Sequence, residues 1–198
     1  HWPAAEDTGF ESIGSLVWSV DGGTVIAANA MRIRCMDVKT GKVNLRGGDM
    51  PALGRFLAIS PNGKILVELT SIYGEGMGCV ASDAQAGRVI WRSDDGKPAF
   101  ATYSSETVGV TPLRVAFSPD SSLLAGGLYD SLRIVDAATG KERAKVRVDI
   151  GEVQAVAFSP DGRLLAAGGR SGATLVFDVE ELLASAPEAT GKPVEEGN

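Results

Sequence analysis

The side chains best suited to chemistry in this sequence are acidic residues set beside glycine or serine in four short turns. The turns share a Ser, a variable residue, an Asp or Asn, and a Gly or Ser: Ser19-Val20-Asp21-Gly22, Ser60-Pro61-Asn62-Gly63, Ser118-Pro119-Asp120-Ser121 and Ser159-Pro160-Asp161-Gly162. Carboxylates beside glycine can bind Ca²⁺, but each turn offers one isolated acid and lacks the D-x-D-x-D-G order of a calcium loop. We therefore interpret the motifs as structural turns and predict no metal site.

A glycine-rich run, Gly74-Glu75-Gly76-Met77-Gly78, raises the question of phosphate binding. A phosphate loop needs a preceding strand, a following helix and a Lys, and this run lacks that context. We interpret it as a flexible loop and predict no cofactor. The only histidine is His1, so histidine-dependent triads and zinc motifs are excluded as well.

Charge and composition narrow the class of partner. The chain has 198 residues, with 25 acidic against 19 basic ones and a net charge of −6, which opposes binding to a phosphate backbone. We predict no nucleic-acid partner. No apolar run approaches the roughly 20 residues that span a bilayer, so no membrane association is predicted, and we expect a cytoplasmic location. Cys35 and Cys79 are expected to be free thiols.

The spacing of the four turns indicates a repeat. Their third residues, Asp21, Asn62, Asp120 and Asp161, are separated by 41, 58 and 41 residues. A period of about 40–45 residues with four strands in each unit is typical of a β-propeller blade. The sequence therefore predicts an all-β, propeller-like array of about four four-stranded antiparallel blades.

Each unit adds a third strand that ends in Asp: Asp37, Asp83, Asp136 and Asp178. In the first three units a glycine follows four residues later, where a hairpin needs positive φ, and it leads into a fourth strand. The last unit lacks such a glycine at this spacing. We therefore predict that the last blade has no good outer strand of its own.

The motif Val156-Ala157-Phe158-Ser159-Pro160-Asp161-Gly162, followed by Leu164 to Gly168 and Phe177-Asp178, resembles the WD40-repeat family. The sequence of the repeats is also similar in style to the WD40 arrays of large multi-module bacterial proteins. The repeats depart from the family pattern because no Trp precedes the closing Asp and the Gly-His pair is missing, with Asp149 at the position of that His. The resemblance therefore implies degenerate blades held mainly by apolar packing.

The resemblance implies a noncatalytic scaffold for protein–protein interaction, so we predict protein partners and no enzyme activity. An alternative stays open, in which the chain is a fragment of a propeller enzyme, either a metal-dependent hydrolase or a quinone-dependent type. Such enzymes gather acids around a central channel, whereas the predicted inner strands here carry almost none before their turns. We predict no catalytic residue.

The repeat divides the chain into a leader or end of a preceding blade at 1–10, blades at 11–180, and an acidic, disordered tail at 181–198. The blade boundaries fall at about 11–50, 51–108, 109–149 and 150–180. Residues 179–183 are expected to form one or two helical turns before the tail.

Four blades are the lower limit for a propeller, so we predict an open arc or a partial propeller. Three interpretations stay open: a C-terminal portion of a longer propeller, a half-ring that pairs with another chain, and a closed four-blade ring. The start at His1 favours the first. An open arc exposes the faces of its end blades, and self-association through them is then expected.

Blade 2 departs from the 41-residue spacing by two insertions, which carry the candidate contact residues. Five extra residues lie between its second and third strands, and twelve lie within 93–112. Both loops leave the same end of an up-and-down blade. Exposed aromatic residues in loops suit partner binding, which makes Tyr73, Met77, Phe100 and Tyr103 the candidates. The alternative is that these side chains pack on one another.

The sequence also predicts the environment of two tryptophans. Trp18 occupies the inner-strand position that Phe117 and Phe158 fill in later units, so it is expected in the core. Trp91 lies on an outer strand and is expected to be half exposed.

Overall fold

The computed structural model describes residues 15–28, 33–46, 56–72, 76–93 and 115–185. In these ranges the chain forms fifteen β-strands and one short helix, α1 (Val179–Ala184). The strands of the first half are β1 (Ser15–Trp18), β2 (Thr24–Ala28), β3 (Ile33–Asp37), β4 (Val43–Arg46), β5 (Phe56–Ile59), β6 (Ile65–Ile72), β7 (Gly76–Asp83) and β8 (Val89–Arg92). Those of the second half are β9 (Val115–Phe117), β10 (Leu123–Leu128), β11 (Ser131–Asp136), β12 (Glu142–Arg147), β13 (Val153–Phe158), β14 (Leu164–Gly169) and β15 (Thr174–Asp178).

The strands form four separate antiparallel sheets in chain order, which we call blades 1 to 4. Blades 1, 2 and 3 have four strands each, β1 to β4, β5 to β8 and β9 to β12, and blade 4 has β13, β14 and β15 among the described residues. The inner strands contact one another in the order β1, β5, β9, β13. This confirms the predicted all-β array and the fold of a partial β-propeller.

The hairpin between the first two strands of every blade is closed by the repeated Ser. In blade 1 the Ser19 hydroxyl donates to the Asp21 carboxylate at 2.6 Å and accepts from the Thr24 backbone N–H at 2.8 Å. The Asp21 carboxylate also accepts from the Gly23 N–H. The fourth residue, Gly22, has φ of 69°, a conformation that glycine adopts without the steric cost of a Cβ. Two side chains and one glycine therefore fix the turn locally.

Neighbouring blades pack face to face, and each has one face toward its predecessor and one toward its successor. We call the first its upstream face and the second its downstream face. Between blades 3 and 4, for example, Phe158 and Leu165 of the blade 4 upstream face pack with Ala125 and Ile134 of the blade 3 downstream face. Equivalent clusters join blades 1 and 2 and blades 2 and 3. The core therefore lies between sheets, not within any one of them.

Trp18 corrects the sequence-based prediction of a core residue, because its residue surface is 57% exposed. It lies opposite Val25 on the upstream face of blade 1, as Phe158 lies opposite Leu165 in blade 4. Its position in the blade is therefore the one expected. No other described strand packs on this face of blade 1, so the side chain stays in contact with solvent.

Trp91 corrects the second prediction in the opposite direction, since it is 2% exposed instead of half exposed. Its indole N–H donates to the Ala137 carbonyl oxygen of blade 3 at 2.9 Å. Gly140, in the hairpin between β11 and β12, lies against the indole ring, and a Cβ built on it would be 2.6 Å from Trp91 Cδ2. The outer strand of blade 2 is thus covered by a turn of the next blade.

The third strand of blade 4 is followed by a helix, whereas those of the other blades are followed by a hairpin. Asp37 and Asp136 accept hydrogen bonds from Thr40 and Thr139 and so close the hairpin to an outer strand. The equivalent Asp178 is instead the N-cap of α1 and accepts from the Glu180 and Glu181 backbone N–H groups. An N-cap carboxylate satisfies N–H groups that have no partner in the first helical turn. The helix contacts β12 and β15, and Val179 is buried in the core between blades 3 and 4.

A substitution at Gly140 tests the contact between blades 2 and 3. Gly140→Ala places a methyl group inside the contact distance of the Trp91 ring, at a φ of 69° that also disfavours alanine. We expect the free energy of unfolding to fall by about 2–4 kcal/mol, combining roughly 1 kcal/mol for the backbone with the cost of overpacking. Urea denaturation measures this difference.

Gly22→Ala is the matched control, because Gly22 also has φ of 69° but a Cβ there meets nothing within 4 Å. It is expected to lose only the backbone contribution of about 1 kcal/mol. Equal losses for the two variants would show that the contact with Trp91 contributes nothing.

Candidate interaction surface

The two ends of the blades differ in how tightly their connections are packed. One end, which we call the turn end, carries the Ser-containing turns between first and second strands and the turns between third and fourth strands. The other, which we call the loop end, carries the connections between second and third strands and between blades. An up-and-down blade alternates its connections in this way. The predicted blade 2 insertions both belong to the loop end.

On the turn end, the Ser-containing turns of successive blades contact one another. A Cβ on Gly63 of blade 2 would lie 3.2 Å from Val20 Cγ2 of blade 1. The Asn62 backbone N–H of blade 2 donates to the Ser121 hydroxyl of blade 3 at 3.0 Å. These contacts leave the turns little freedom to adapt to a ligand, so we assign this end a structural role.

Ser121 combines a strained backbone conformation with a hydrogen bond between blades. It occupies the position that glycine fills in the other three turns, and its φ is 66°, where a residue with a Cβ is strained. It is nevertheless buried, and its hydroxyl accepts the hydrogen bond from Asn62. The bond between blades explains why serine stands at a glycine position.

The acids of the turn end are held as carboxylates. The Ser19, Ser118 and Ser159 hydroxyl groups, and next to them backbone N–H groups, lower the pKa of Asp21, Asp120 and Asp161 below the usual aspartate value. The Thr40 hydroxyl and backbone N–H lower the pKa of Asp37 in the same way. Each carboxylate therefore serves its own turn, and no group of three His, Cys, Asp or Glu residues that could hold a metal ion occurs among the described residues.

On the loop end, the β6–β7 hairpin of blade 2 extends beyond its neighbours. Each of these strands has eight residues, whereas the equivalent β2 and β3 of blade 1 have five. The pairing runs to Ile72 opposite Gly76. The first predicted insertion is therefore a longer hairpin. Gly76 to Gly78 belong to β7, which corrects the prediction that the whole glycine-rich run is a loop.

The four predicted contact residues are only partly placed. Met77 lies in β7 opposite Ser71, within the extended part of the hairpin. Tyr73, Phe100 and Tyr103 lie outside the described residues. The structure therefore brings Met77 to the loop end of blade 2 but does not test whether the four side chains meet.

Tyr129 is a candidate on the same end that the sequence prediction missed. It begins the two-residue connection between β10 and β11 in blade 3, where Leu128 pairs with Ser131. Its residue surface is 48% exposed, and its φ of 51° is positive, which is unusual for an aromatic residue. Such a position in a two-residue hairpin normally selects Gly, Asn or Asp. The loop does not change the repeat spacing, so the spacing could not indicate Tyr129. The residue type could have done so, because Tyr stands where a two-residue hairpin usually has Gly, Asn or Asp.

The backbone around Tyr129 is fixed by the strands on either side. Its carbonyl oxygen accepts from the Val153 backbone N–H at 2.8 Å, which ties the loop to blade 4. The following Asp130 forms an ion pair with Arg147 of β12 at 2.7 Å. An exposed ring on a loop held in this manner is presented at a fixed position, as a binding residue on a rigid scaffold requires.

The two cysteines are free, as predicted. Cys35 is partly buried in blade 1, and Cys79 is buried in blade 2. Burial, followed by the negative charge of Glu68, raises the pKa of the Cys79 thiol well above its usual value. A buried, protonated thiol is unreactive, so Cys79 is a core residue and not a nucleophile.

Within the part of the chain that the structure describes, no helix is long and apolar enough to cross a membrane.

Comparison with known proteins identifies the repeat. Residues 145–178 match the family model "WD domain, G-beta repeat", which here runs from within β12 to the closing Asp of β15. The chain is also similar to "Small ribosomal subunit protein RACK1y" of Oryza sativa subsp. japonica, with 37% identity over 73 residues. The alignment covers 36% of this chain and 22% of the rice protein, so the chain spans about a fifth of the length of that relative.

The lowered aspartate pKa values predict how stability depends on pH. A carboxyl group whose pKa is lower in the folded state stabilises the fold above its unfolded pKa of about 3.9, and this contribution is lost as pH falls through the folded pKa. We therefore expect stability to be nearly constant from pH 7 to about 5 and to decline below about pH 4. Urea denaturation at each pH measures it.

Asp161→Asn is a matched variant, because Asn62 naturally fills the same position in blade 2 and accepts the same hydrogen bonds. It should fold like the unsubstituted chain at pH 7 and lose less stability below pH 4. An unchanged acid response in this variant would argue against a lowered pKa at Asp161.

Proposed function

We propose, on the premise that this chain is built of WD40 repeats, that it is a noncatalytic scaffold that binds protein partners through the loop end of blades 2 and 3. The match to the WD domain model and the likeness to the rice protein support an interaction role. By its name, that relative belongs to the small ribosomal subunit. This supports the proposal that the present chain also works within a larger assembly. The observation that carries the proposal is Tyr129, an exposed aromatic side chain held in a strained loop.

The contact surface combines two neighbouring blades. In blade 2 it comprises the extended β6–β7 hairpin with Met77, together with Tyr73, Phe100 and Tyr103 of the insertions. In blade 3 it comprises Tyr129. Binding energy at protein interfaces is concentrated in a few residues, among which Tyr is enriched, and the residues around them mainly exclude water. Clustering of the blade 2 aromatic residues on one another stays an alternative for those side chains.

The acids of the turn end support a noncatalytic role, since their carboxylates are held by turn hydrogen bonds. We propose no cofactor and no nucleic-acid partner, in keeping with the net charge of −6. A cytoplasmic location is supported by the two free thiols, which persist in reducing compartments. Self-association through the faces of the end blades is a further part of the proposal.

Tyr129→Gly tests the contact surface, since glycine adopts the φ of 51° without steric cost. Removing the ring should weaken partner binding by about 10-fold or more, which corresponds to at least 1.4 kcal/mol. Quantitative affinity capture from cells that contain the natural partners measures the loss of binding, and urea denaturation of the same variant checks that the fold is kept.

Ile90→Ala is the control, because Ile90 is an exposed apolar residue on the outer strand β8, away from both ends of the blade. It should capture the same proteins as the unsubstituted chain. Tyr73→Ala and Tyr103→Ala should act like Tyr129→Gly on binding if the insertions share the surface. Unchanged capture by all three tyrosine variants would exclude the loop end as the contact surface.

A further inference from the structure

The two outermost faces of the array are apolar and exposed. On the upstream face of blade 1, Leu16 and Trp18 are each more than half exposed. On the downstream face of blade 4, Val176 is 62% exposed and Leu164 is exposed as well. Large apolar side chains grouped on a sheet face are typical of a surface that another element covers. The internal blades indicate what kind of element this is.

Each internal interface joins an upstream face to a downstream face. The upstream face presents a large inner-strand residue at one position: Ile59 in blade 2, Phe117 in blade 3 and Phe158 in blade 4. These residues pack into the clusters that the preceding blade shares with them. In the two later interfaces the downstream face contributes an alanine to the shared cluster, Ala58 in the cluster with Phe117 and Ala125 in the cluster with Phe158. A large side chain thus fits against small ones.

The two exposed faces have the same complementary features. Trp18 occupies the position of Phe158, since it pairs with Val25 as Phe158 pairs with Leu165. On blade 4, Ala157 pairs with Ala166, and Ala166 pairs with Val176. This row repeats Ala116, Ala125 and Ile134 of blade 3, which belong to the face that receives Phe158. The blade 4 face is therefore built to receive a large residue at the position of Trp18.

We propose that the downstream face of blade 4 in one copy of this chain packs on the upstream face of blade 1 in a second copy. The same contact formed twice closes two copies into a ring of eight blades, which lies within the usual range for propellers. The inference deepens the proposed function, on which it rests, by naming a second copy of the chain as a partner. Contact between two blade 1 faces would instead oppose two large Trp18 rings.

The mass of the full chain in solution tests this pairing. Sedimentation equilibrium over a concentration series should give twice the mass of one chain. Trp18→Glu and Val176→Lys should each give a single chain, because each places a charge in both contacts of the ring. Val89→Glu and Ile90→Lys are the controls. They put the same charges on exposed apolar residues of β8, away from the end faces, and should keep the double mass.

An equimolar mixture of the two face variants identifies which faces meet. The Trp18→Glu chain keeps its blade 4 face, and the Val176→Lys chain keeps its blade 1 face. The mixture should therefore form a pair with one intact contact, although neither variant pairs alone. Since both residues are exposed in a single chain, the far-UV circular dichroism spectrum of either variant should match that of the controls, which shows that the variant is folded.

Four results would overturn the proposal. They are a single-chain mass for the unsubstituted protein, double mass in both face variants, loss of pairing in one of them only, and masses that grow beyond two copies. The first would leave the end faces for blades of another polypeptide, and the third would indicate contact between like faces. Protein capture distinguishes this failure from failure of the proposed function, because Trp18→Glu should still capture the partners that Tyr129→Gly loses.

Discussion

The packing of one blade against the next is the interaction on which the rest of this structure depends. A four-stranded antiparallel sheet satisfies its internal backbone hydrogen bonds by itself, but it cannot bury two apolar faces alone. In this chain the core residues lie in clusters between successive sheets, so each blade is stabilised by its neighbours. The contacts between turns, the indole hydrogen bond from Trp91 to Ala137 and the bond from Asn62 to Ser121 all align one blade on the next. The local turns define each sheet, and the contacts between sheets stabilise the array as a whole.

This dependence explains which sequence predictions succeeded. The Ser-containing turns, the Asp at the end of each third strand and the helix after blade 4 depend on local chemistry, so residue types and spacing predicted them. The environments of Trp18 and Trp91 could not, because each depends on whether another blade covers the residue. Trp18 has the predicted position, but no described blade packs on its face. Trp91, on an outer strand, is covered by the turn at Gly140. Strand periodicity predicts which face of a sheet carries a side chain. Whether that side chain is buried depends on whether another blade packs on the face.

The candidate interaction surface likewise has one part that the sequence predicted and one part that it did not. The extra residues of blade 2 changed the repeat spacing, so a longer connection between its second and third strands was predictable, and the structure has it as the β6–β7 hairpin. Tyr129 lies in a two-residue loop that leaves the repeat spacing unchanged, so the spacing did not indicate it. Ser121 shows that strain of this kind alone does not indicate function, because there a contact between blades accounts for it. Ser121 is buried between blades, whereas Tyr129 is exposed at the loop end.

The N-cap at Asp178 has a consequence for how such arrays change in length. The same residue type at the end of the third strand closes a hairpin at Asp37 and Asp136 and begins a helix at Asp178. The strands before these residues are alike, so the choice is made by the few residues that follow: Thr and Gly for the hairpin, and two Glu for the helix. Glutamates in a first helical turn are favoured by the helix dipole, and glycine at positive φ favours the hairpin. The few residues after the third strand therefore decide whether the chain turns back along its own blade or leaves it as a helix, and in blade 4 that helix places Val179 in the core shared with blade 3.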